Sequence, residues 1–212
     1  MRGKFITLEG PEGSGKSTQA KRLIQRLAER GIEAIYTREP GGTALGEAIR
    51  TILQHNQAGE APCGRAELLL FEASRNQLVE KVIRPNLDKG CWVICDRFID
   101  STVAYQGYGR GLPIEDIHSI NRFAMDGVAP DLWLLLDLTV EAGFDRIGRR
   151  QKELGEVADR FEQEERSFHH RVRDGYLALA AAAPERFKRI RADQELDAVS
   201  AEIWTVVSEL VK

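Results

Sequence analysis

The sequence lacks the features that indicate a membrane, an export pathway or a nucleic-acid partner. None of its apolar runs approaches the roughly 20 residues of a membrane-spanning helix. The start, MRGKFITLEG, has a short strand-like run and then glycine, without the apolar region and cleavage site of a signal peptide. The formal net charge is −3, so we expect no nucleic-acid partner, and any bound anion must be held by a local cluster of cations.

Cysteine is also scarce, and repeats and low-complexity linkers are missing. Cys63, Cys91 and Cys95 form no CxxC pair, and three thiols cannot all pair with one another. We therefore expect reduced thiols and a cytoplasmic location. Hydrophobic residues make up 42% and charged residues 30% of the 212 residues, which is typical of a globular chain, and we expect residues 1–212 to form one domain.

Short apolar runs alternate along the chain with segments whose apolar residues recur at helical spacing. This alternation predicts an α/β protein with a parallel sheet covered by helices on both faces. Thr43 is expected to cap a helix and Pro85 to end one. Strands are predicted at 4–10, 33–37, 92–96, 132–138 and 186–192, and helices at 16–30, 44–55, 65–86, 114–126, 140–153, 161–183 and 195–211.

The clearest motif lies between the first strand and the first helix. Its glycines allow backbone N–H groups to point at phosphate oxygens, and the following helix adds its positive end. Lys16 is expected to reach the β- and γ-phosphates of a nucleoside triphosphate, and Ser17 to ligate Mg²⁺. The match to G-x-x-x-x-G-K-[ST] comprises Gly10, Pro11, Glu12, Gly13, Ser14, Gly15, Lys16 and Ser17, with Thr18 directly after it.

A second magnesium ligand is expected at the end of a neighbouring buried strand. Asp96, in VICD, and Asp137, in LLLDL, both occupy such positions. We favour Asp96 because Arg97 follows it, which places a metal ligand beside a phosphate-binding cation.

Arginines are frequent near the predicted carboxyl ends of the strands, where α/β sheets bind ligands. A guanidinium group suits phosphate, and the set exceeds what one triphosphate needs. No NKxD motif for reading guanine is present. Transfer to a phosphorylated acceptor is therefore favoured over a GTPase or a translocating ATPase. The arginines are Arg38, Arg75, Arg97, Arg149, Arg150 and Arg160.

Five sequence segments, which follow one another along nearly the whole chain, give it a specific resemblance to a known family. They are FITLEGPEGSGKST, TREPGGT, AELLLFEASRNQ, DRFIDSTVAYQG and DRFE followed by a helix that contains Tyr176. With them the chain resembles the bacterial thymidylate kinases. The resemblance implies a three-layer P-loop NTPase fold of the nucleoside monophosphate kinase kind, with a five-stranded parallel sheet. It also implies transfer of the γ-phosphoryl group of ATP to dTMP with Mg²⁺, giving dTDP, and a homodimer formed through helices such as 65–86 and 114–126.

The resemblance assigns most acceptor-binding roles by position. It implies that Phe71 stacks on thymine, that Arg75 donates to a thymine carbonyl, and that Arg97 binds the acceptor phosphate. Core packing for Phe71 and a surface position for Tyr105 remain the alternatives. The further residues implied are Thr102 and Gln106 at the base edge, Tyr105 and Glu12 near the sugar, Ser101 in the same segment, Arg38 beside the acceptor phosphate, and Pro40 after a bond that is often cis. Ala192, Asp193 and Gln194 match the loop on the adenine side.

In this family one catalytic arginine comes either from the phosphate loop or from the lid. Pro11, Glu12 and Ser14 leave this loop without arginine, so the lid, about 147–161, is expected to supply it. Arg149 and Arg150 are the candidates, with Arg160 as a companion, and the sequence does not choose among them. A kinase for another nucleoside monophosphate or a deoxynucleoside, and a nucleotide-dependent switch without an acceptor, remain the alternative functions.

Overall fold

The computed structural model describes residues 2–55, 59–155 and 157–211. Within these residues five strands form one parallel sheet in the order β2-β3-β1-β4-β5. All five lie where the sequence predicted them, which confirms the parallel α/β arrangement. The strands are β1 (Phe5–Glu9), β2 (Ala34–Arg38), β3 (Trp92–Asp96), β4 (Leu132–Asp137) and β5 (Phe187–Arg191).

The predicted helices are present as well, and Thr43 caps α2 by accepting a hydrogen bond from Gly46 N at 2.9 Å. The largest shift is the start of the helix predicted at 161, which begins at Arg166 because Asp159 and its neighbours form turns. A 3₁₀ turn, Ser208–Val211, follows the last helix. The helices are α1 (Lys16–Ala28), α2 (Ala44–Gln54), α3 (Gly64–Leu78), α4 (Arg84–Asp88), α5 (Ile99–Thr102), α6 (Ile114–Met125), α7 (Val140–Leu154), α8 (Arg166–Ala182) and α9 (Leu196–Val207).

The prediction that Pro85 ends a helix was wrong. Helical structure continues from α3 through a π-helical turn, Val79–Ile83, directly into α4, which contains Pro85. Proline is tolerated in the first turn of a helical segment, because the N–H group that it lacks has no carbonyl partner there. The change of hydrogen-bond pattern in the π-helical turn gives Pro85 such a position.

The segment between Arg97 and the helix at 114 contains an element that the sequence did not predict. α5 continues into a π-helical segment, Val103–Gly109, which packs against α8. A Cβ atom on Gly109 would lie 2.6 Å from a ring carbon of Phe168, so glycine here permits close contact between the two elements. Gly109 is therefore a packing residue.

The two faces of the sheet carry separate hydrophobic clusters. Ile6, Leu8 and Ile94 pack with α1 and α9 on one face. Phe5 and Val93 pack beneath α3 and α4 on the other. The three cysteines are free, and within 2–55, 59–155 and 157–211 no helix has the length and apolar character needed to cross a membrane.

α7 lies directly against the phosphate loop, and we predict that this contact requires glycine. A Cβ atom on Gly143 would lie 2.4 Å from the Glu12 carbonyl oxygen, whereas a Cβ on Gly148 of the same helix would have no neighbour within 4 Å. Gly143→Ala is expected to cost about 1–3 kcal/mol of folding free energy. Thermal denaturation should show a melting temperature lower by about 2–4 °C per kcal/mol.

Gly148→Ala is the matched control for this prediction. It should leave the melting temperature unchanged or raise it, because alanine favours a helix by up to about 1 kcal/mol over glycine. Equal melting temperatures for the two variants would contradict the tight contact.

Candidate active site

One cavity of about 610 Å³ lies beyond the carboxyl ends of β1, β2 and β3. Its walls include the phosphate loop, the residues that follow β2 and β3, α3, and residues of the predicted lid, about 147–161. The cavity thus occupies the edge of the sheet where parallel α/β proteins bind ligands.

The phosphate loop has the backbone conformation that its glycines allow. Gly13 and Gly15 have φ angles of 71° and 88°, in the left-handed region, and Gly15 is the N-cap of α1. Lys16 is buried, and its Nζ donates to Gly10 O at 3.1 Å and to Pro11 O at 2.8 Å. The ammonium group and the helix N-terminus therefore face the same concavity.

Ser17 and Asp96 lie together at the mouth of the loop. Ser17 Oγ donates to Asp96 Oδ2 at 2.5 Å, and both residues line the cavity. Asp137, the competing candidate, is instead held in ion pairs by Arg173 at 2.9 Å and Arg189 at 2.5 Å. The geometry therefore agrees with the preference for Asp96.

The residues present fit Mg²⁺. A hydroxyl and a carboxylate are hard oxygen ligands beside the phosphate loop, and Mg²⁺ commonly takes one or two carboxylates together with substrate phosphates. No group of three or more His, Cys, Asp or Glu that could hold a metal ion occurs in the part of the chain that the structure describes.

Arg97 lines the cavity and is held by several polar groups. Its φ angle is 71°, a left-handed conformation that costs a non-glycine residue about 1–3 kcal/mol and is common at functional sites. The guanidinium donates to Gly10 O at 3.0 Å, to Glu12 Oε1 at 2.7 Å, and to the hydroxyls of Tyr105 and Tyr176 at 3.0 Å each. These contacts connect the phosphate loop with the segment after β3.

Glu12 is a carboxylate that neutralises Arg97. Burial raises its pKa, but the charges of Arg97 and Lys16 and a hydrogen bond from Tyr105 outweigh burial and bring the pKa to about 2. A charged Glu12 therefore orients Arg97, a contact that sequence analysis missed.

A buried carboxylate beneath Arg97 was also missed. Glu9 ends β1, accepts from Phe98 N at 2.8 Å and from Ser101 Oγ at 2.6 Å, and burial raises its pKa. Ser101 also contacts the Tyr176 hydroxyl at 2.6 Å. The sequence signal that could have identified Glu9 is a glutamate at the end of an apolar strand, next to the glycine-rich loop.

Arg75 is fully buried in the wall of the cavity. Its guanidinium donates to Glu39 at 2.5 Å and 2.9 Å, to Asn121 at 2.8 Å, to Thr102 at 2.9 Å, and to Glu72. Burial raises the pKa of Glu39 to about 7, although the nearby Arg75 lowers it. Because five hydrogen bonds occupy the guanidinium, contact between Arg75 and a base requires the exchange of one of them.

Aromatic side chains line the cavity beside Arg75. Phe71 is partly buried, and its ring centroid lies 5.9 Å from that of Phe161. Tyr105 is buried, so the alternative that it is a surface aromatic was wrong. Thr102 and Gln106 also line this wall, and Gln106 Nε2 donates to Glu67 at 2.8 Å.

The loop after β2 forms the opposite side. The Glu39–Pro40 peptide bond is cis, as the resemblance implied. Arg38 lines the cavity and pairs with Glu47 at 3.1 Å. Arg50, which sequence analysis missed, also lines it and donates to Pro40 O at 3.0 Å.

The lid arginines are distributed unequally. Arg150 lines the cavity and pairs with Glu162 at 3.0 Å, whereas Arg149 is exposed and does not line it. Arg160 is turned toward Leu53 O, at 2.8 Å, and Glu67. Residue 156 of the predicted lid lies outside the described residues.

Arg146 is a further cavity residue that sequence analysis missed. It donates to Ala192 O at 2.8 Å and approaches Gly13 O at 3.4 Å. Asp193 pairs with Arg191 at 3.2 Å, and Gln194 contacts Glu202 at 2.8 Å, so neither of these side chains lines the cavity. The 192–194 loop therefore reaches the phosphate loop through Arg146.

A triphosphate cradle and a second cationic subsite in one cavity define a P-loop phosphotransferase. The family model of thymidylate kinase matches residues 8–203. The chain is 47% identical over 212 residues to the thymidylate kinase of Ectopseudomonas mendocina strain ymp, with 100% of this chain and 98% of that protein covered. It is 50% identical over 203 residues to the enzyme from Synechococcus sp. strain JA-2-3B'a(2-13), with 96% and 93% covered.

A solved structure agrees with these sequence matches. The crystal structure of thymidylate kinase from Ehrlichia chaffeensis aligns with a TM-score of 0.77 and 35% identity, covering 98% of this chain and 99% of that one. The chain belongs to the thymidylate kinase family.

Proposed function

We propose that the chain transfers the γ-phosphoryl group of ATP to dTMP, giving ADP and dTDP for dTTP synthesis. The observation that carries the proposal is a cavity that joins the phosphate loop to the subsite around Phe71 and Arg75. Arg97 contacts both parts, through Gly10 O and the Tyr105 hydroxyl. Family membership supports the same reaction.

The resemblance implies the acceptor roles, and the positions of these side chains on the cavity support them. Phe71 stacks on the thymine ring, and Arg75 exchanges one hydrogen bond to reach a base carbonyl. Tyr105 lies beside the sugar and disfavours a 2′-hydroxyl. The remaining acceptor-binding residues in this proposal are Glu12, Arg38, Pro40, Arg97, Ser101, Thr102 and Gln106.

The triphosphate roles come from the phosphate-loop motif and the resemblance, and the contacts of Lys16, Ser17 and Asp96 support them. Lys16 exchanges its contacts with loop carbonyls for β- and γ-phosphate oxygens. Ser17 and Asp96 would hold Mg²⁺, which supplies positive charge to the β- and γ-phosphates when bound. The loop around Ala192, Asp193 and Gln194 lies on the adenine side.

Phosphoryl transfer requires in-line placement and cancellation of negative charge more than covalent chemistry. Lys16, Arg97 and a lid arginine bring together two phosphates that repel each other. A phosphate oxygen of dTMP attacks directly, without a covalent enzyme intermediate. It needs no general base, because its second pKa is about 6.

We predict that ATP binding weakens above about pH 8. Burial, followed by the charge of Arg97, lowers the pKa of Lys16 to about 8, although Asp96, Glu12 and Glu9 raise it. Because phosphate binds the ammonium form, the dissociation constant should stay level from pH 7 to 8 and rise up to about tenfold per unit above it. Calorimetric titration checks this, and Lys16→Met, a weaker binder, should lack the slope. A constant affinity up to pH 9.5 would contradict the prediction.

A coupled assay of ADP release with ATP and Mg²⁺ tests the function. The acceptors are dTMP, dUMP, dCMP, GMP, UMP and thymidine, and we expect the highest kcat/KM with dTMP and loss of turnover with EDTA. Preference for another acceptor would indicate a different nucleotide kinase. ATP binding without ADP release on any acceptor would indicate a nucleotide-dependent switch.

We also propose a homodimer formed through α3 and α6, in a cytoplasmic enzyme. Two large apolar side chains on these helices support it: Leu69 is 58% exposed and Phe123 is 84% exposed. Homodimer interfaces are more apolar than the rest of the protein surface. Light scattering at micromolar concentration should give about twice the mass of the 23.8 kDa chain, and a monomer mass would reject the dimer.

A further inference from the structure

Glu67 is a buried carboxylate on α3 that the proposed mechanism does not use. It lies four residues before Phe71, on the same side of the helix. Its Oε1 accepts from Gln106 Nε2 at 2.8 Å and from Arg110 Nε at 3.2 Å. Its Oε2 accepts from Arg110 Nη2 at 3.2 Å and forms an ion pair with Arg160 at 2.6 Å.

The charges around Glu67 balance. Arg110 also pairs with Glu164 at 2.6 Å, so two carboxylates face two guanidinium groups. A buried carboxylate is costly without such partners. We call Glu67, Gln106, Arg110, Arg160 and Glu164 the Glu67 cluster.

Within the cluster, Glu67 determines which way the Gln106 amide faces. A carboxylate only accepts hydrogen bonds, so it selects the NH₂ arm of the amide. The opposite rotamer would bring the amide oxygen against the carboxylate oxygen. Because Gln106 lines the cavity, its carbonyl oxygen is the arm that remains available to a ligand.

The same carboxylate anchors one end of the lid. Arg160 Nε donates to Leu53 O at 2.8 Å, and its backbone N–H donates to Gln54 O at 3.1 Å. The Arg160 guanidinium lies 4.4 Å from the centre of the Phe161 ring, which is 5.9 Å from that of Phe71. The position of Arg160 therefore determines where an aromatic wall of the base subsite stands.

We propose that Glu67 is a positioning residue that couples recognition of the acceptor base to the placement of the lid. It orients the Gln106 carbonyl toward the N3–H group of thymine and holds Arg160 with the same carboxylate. Cytosine has an unprotonated N3, which would meet the Gln106 oxygen as two acceptors, so the orientation selects against it. This inference rests on the proposed function.

Glu67→Gln tests the proposal because it removes the charge and keeps the shape. With a neutral partner, the Gln106 amide can turn its NH₂ group toward cytosine N3. We expect kcat/KM for dTMP to fall at least about tenfold, and the ratio of kcat/KM for dCMP to that for dTMP to rise at least about tenfold. A loss of stability alone would lower both activities together and leave the ratio unchanged.

Glu164→Gln is the matched control. It makes the same chemical change on the other carboxylate of Arg110 but leaves Gln106 and Arg160 in contact with Glu67. Both kinetic values should stay within about twofold of wild type. An unchanged dCMP ratio in Glu67→Gln, or equal effects of the two variants, would overturn the proposal. If wild type itself does not use dTMP, the proposed function has failed instead.

A second measurement examines the lid directly. Saturating dTMP, without ATP, should slow tryptic cleavage after Arg149, Arg150 and Lys152 at least about fivefold in wild type and not in Glu67→Gln. If Glu67→Gln does not fold, Arg160→Gln takes its place, because it removes the lid side of the same contact. Protection that persists in the variant used would refute the coupling.

Discussion

Replacement of Arg97 by glutamine is expected to lower kcat/KM for dTMP at least about a thousandfold, equivalent to about 4 kcal/mol of transition-state stabilisation. Arg97 is a partly buried cation that contacts both the phosphate loop and the acceptor side of the cavity. Glutamine removes the charge that draws two phosphates together and leaves the Glu12 carboxylate without its cation. Steady-state kinetics with ADP detection provide the measurement.

Arg84→Gln is the control for this substitution. Arg84 forms surface ion pairs with Glu80 and Asp126, each worth about 0–1 kcal/mol, so activity should stay near that of wild type. If Arg97→Gln retained more than about a tenth of wild-type kcat/KM, the central role of Arg97 would have to be abandoned.

Arg150→Ala is expected to lower kcat by about 10³, with little change in the affinity for dTMP. An arginine that contacts the transferring phosphoryl group contributes about 10³–10⁵ in rate in related systems. Of the lid arginines named from the sequence, Arg150 is the one that lines the cavity, where it pairs with Glu162. Single-turnover kinetics separate the chemical step from dTMP binding.

Arg149→Ala is a matched control, because it makes the same change one residue earlier, outside the cavity. It should change kcat only a few-fold. Arg146→Ala should be measured beside it, since Arg146 also lines the cavity and contacts the 192–194 loop. If none of the variants at 149, 150 and 160 changes kcat more than a few-fold, the lid does not donate the catalytic arginine.

Most of the fold could be predicted because its signals are local. Apolar runs of strand length, helical periodicity and the glycine-rich loop together determine a parallel sheet with the cavity at its carboxyl edge. Lys16, Ser17 and Asp96 were predicted for the same reason, since the motif and the strand end fix their positions. The structure places all three on the cavity.

One error is local, and the main omissions concern contacts between distant parts of the chain. Pro85 indicates a helix end locally, and only the π-helical turn before it shows how the helix continues. Glu67 and Arg160 are far apart in sequence, so nothing near either residue indicates their ion pair. Glu12 could be placed in the loop, but its contact with Arg97 depends on how β1 and β3 pair.

α7 contacts the phosphate loop at Gly143. A tilt of the helix about this point would move its C-terminal end. Leu154 lies about 16 Å further along the helix axis, at 1.5 Å per residue. A tilt of about 10° at Gly143 therefore displaces the lid end by about 3 Å. A small adjustment of the loop would therefore move the end of α7 by about the length of a hydrogen bond.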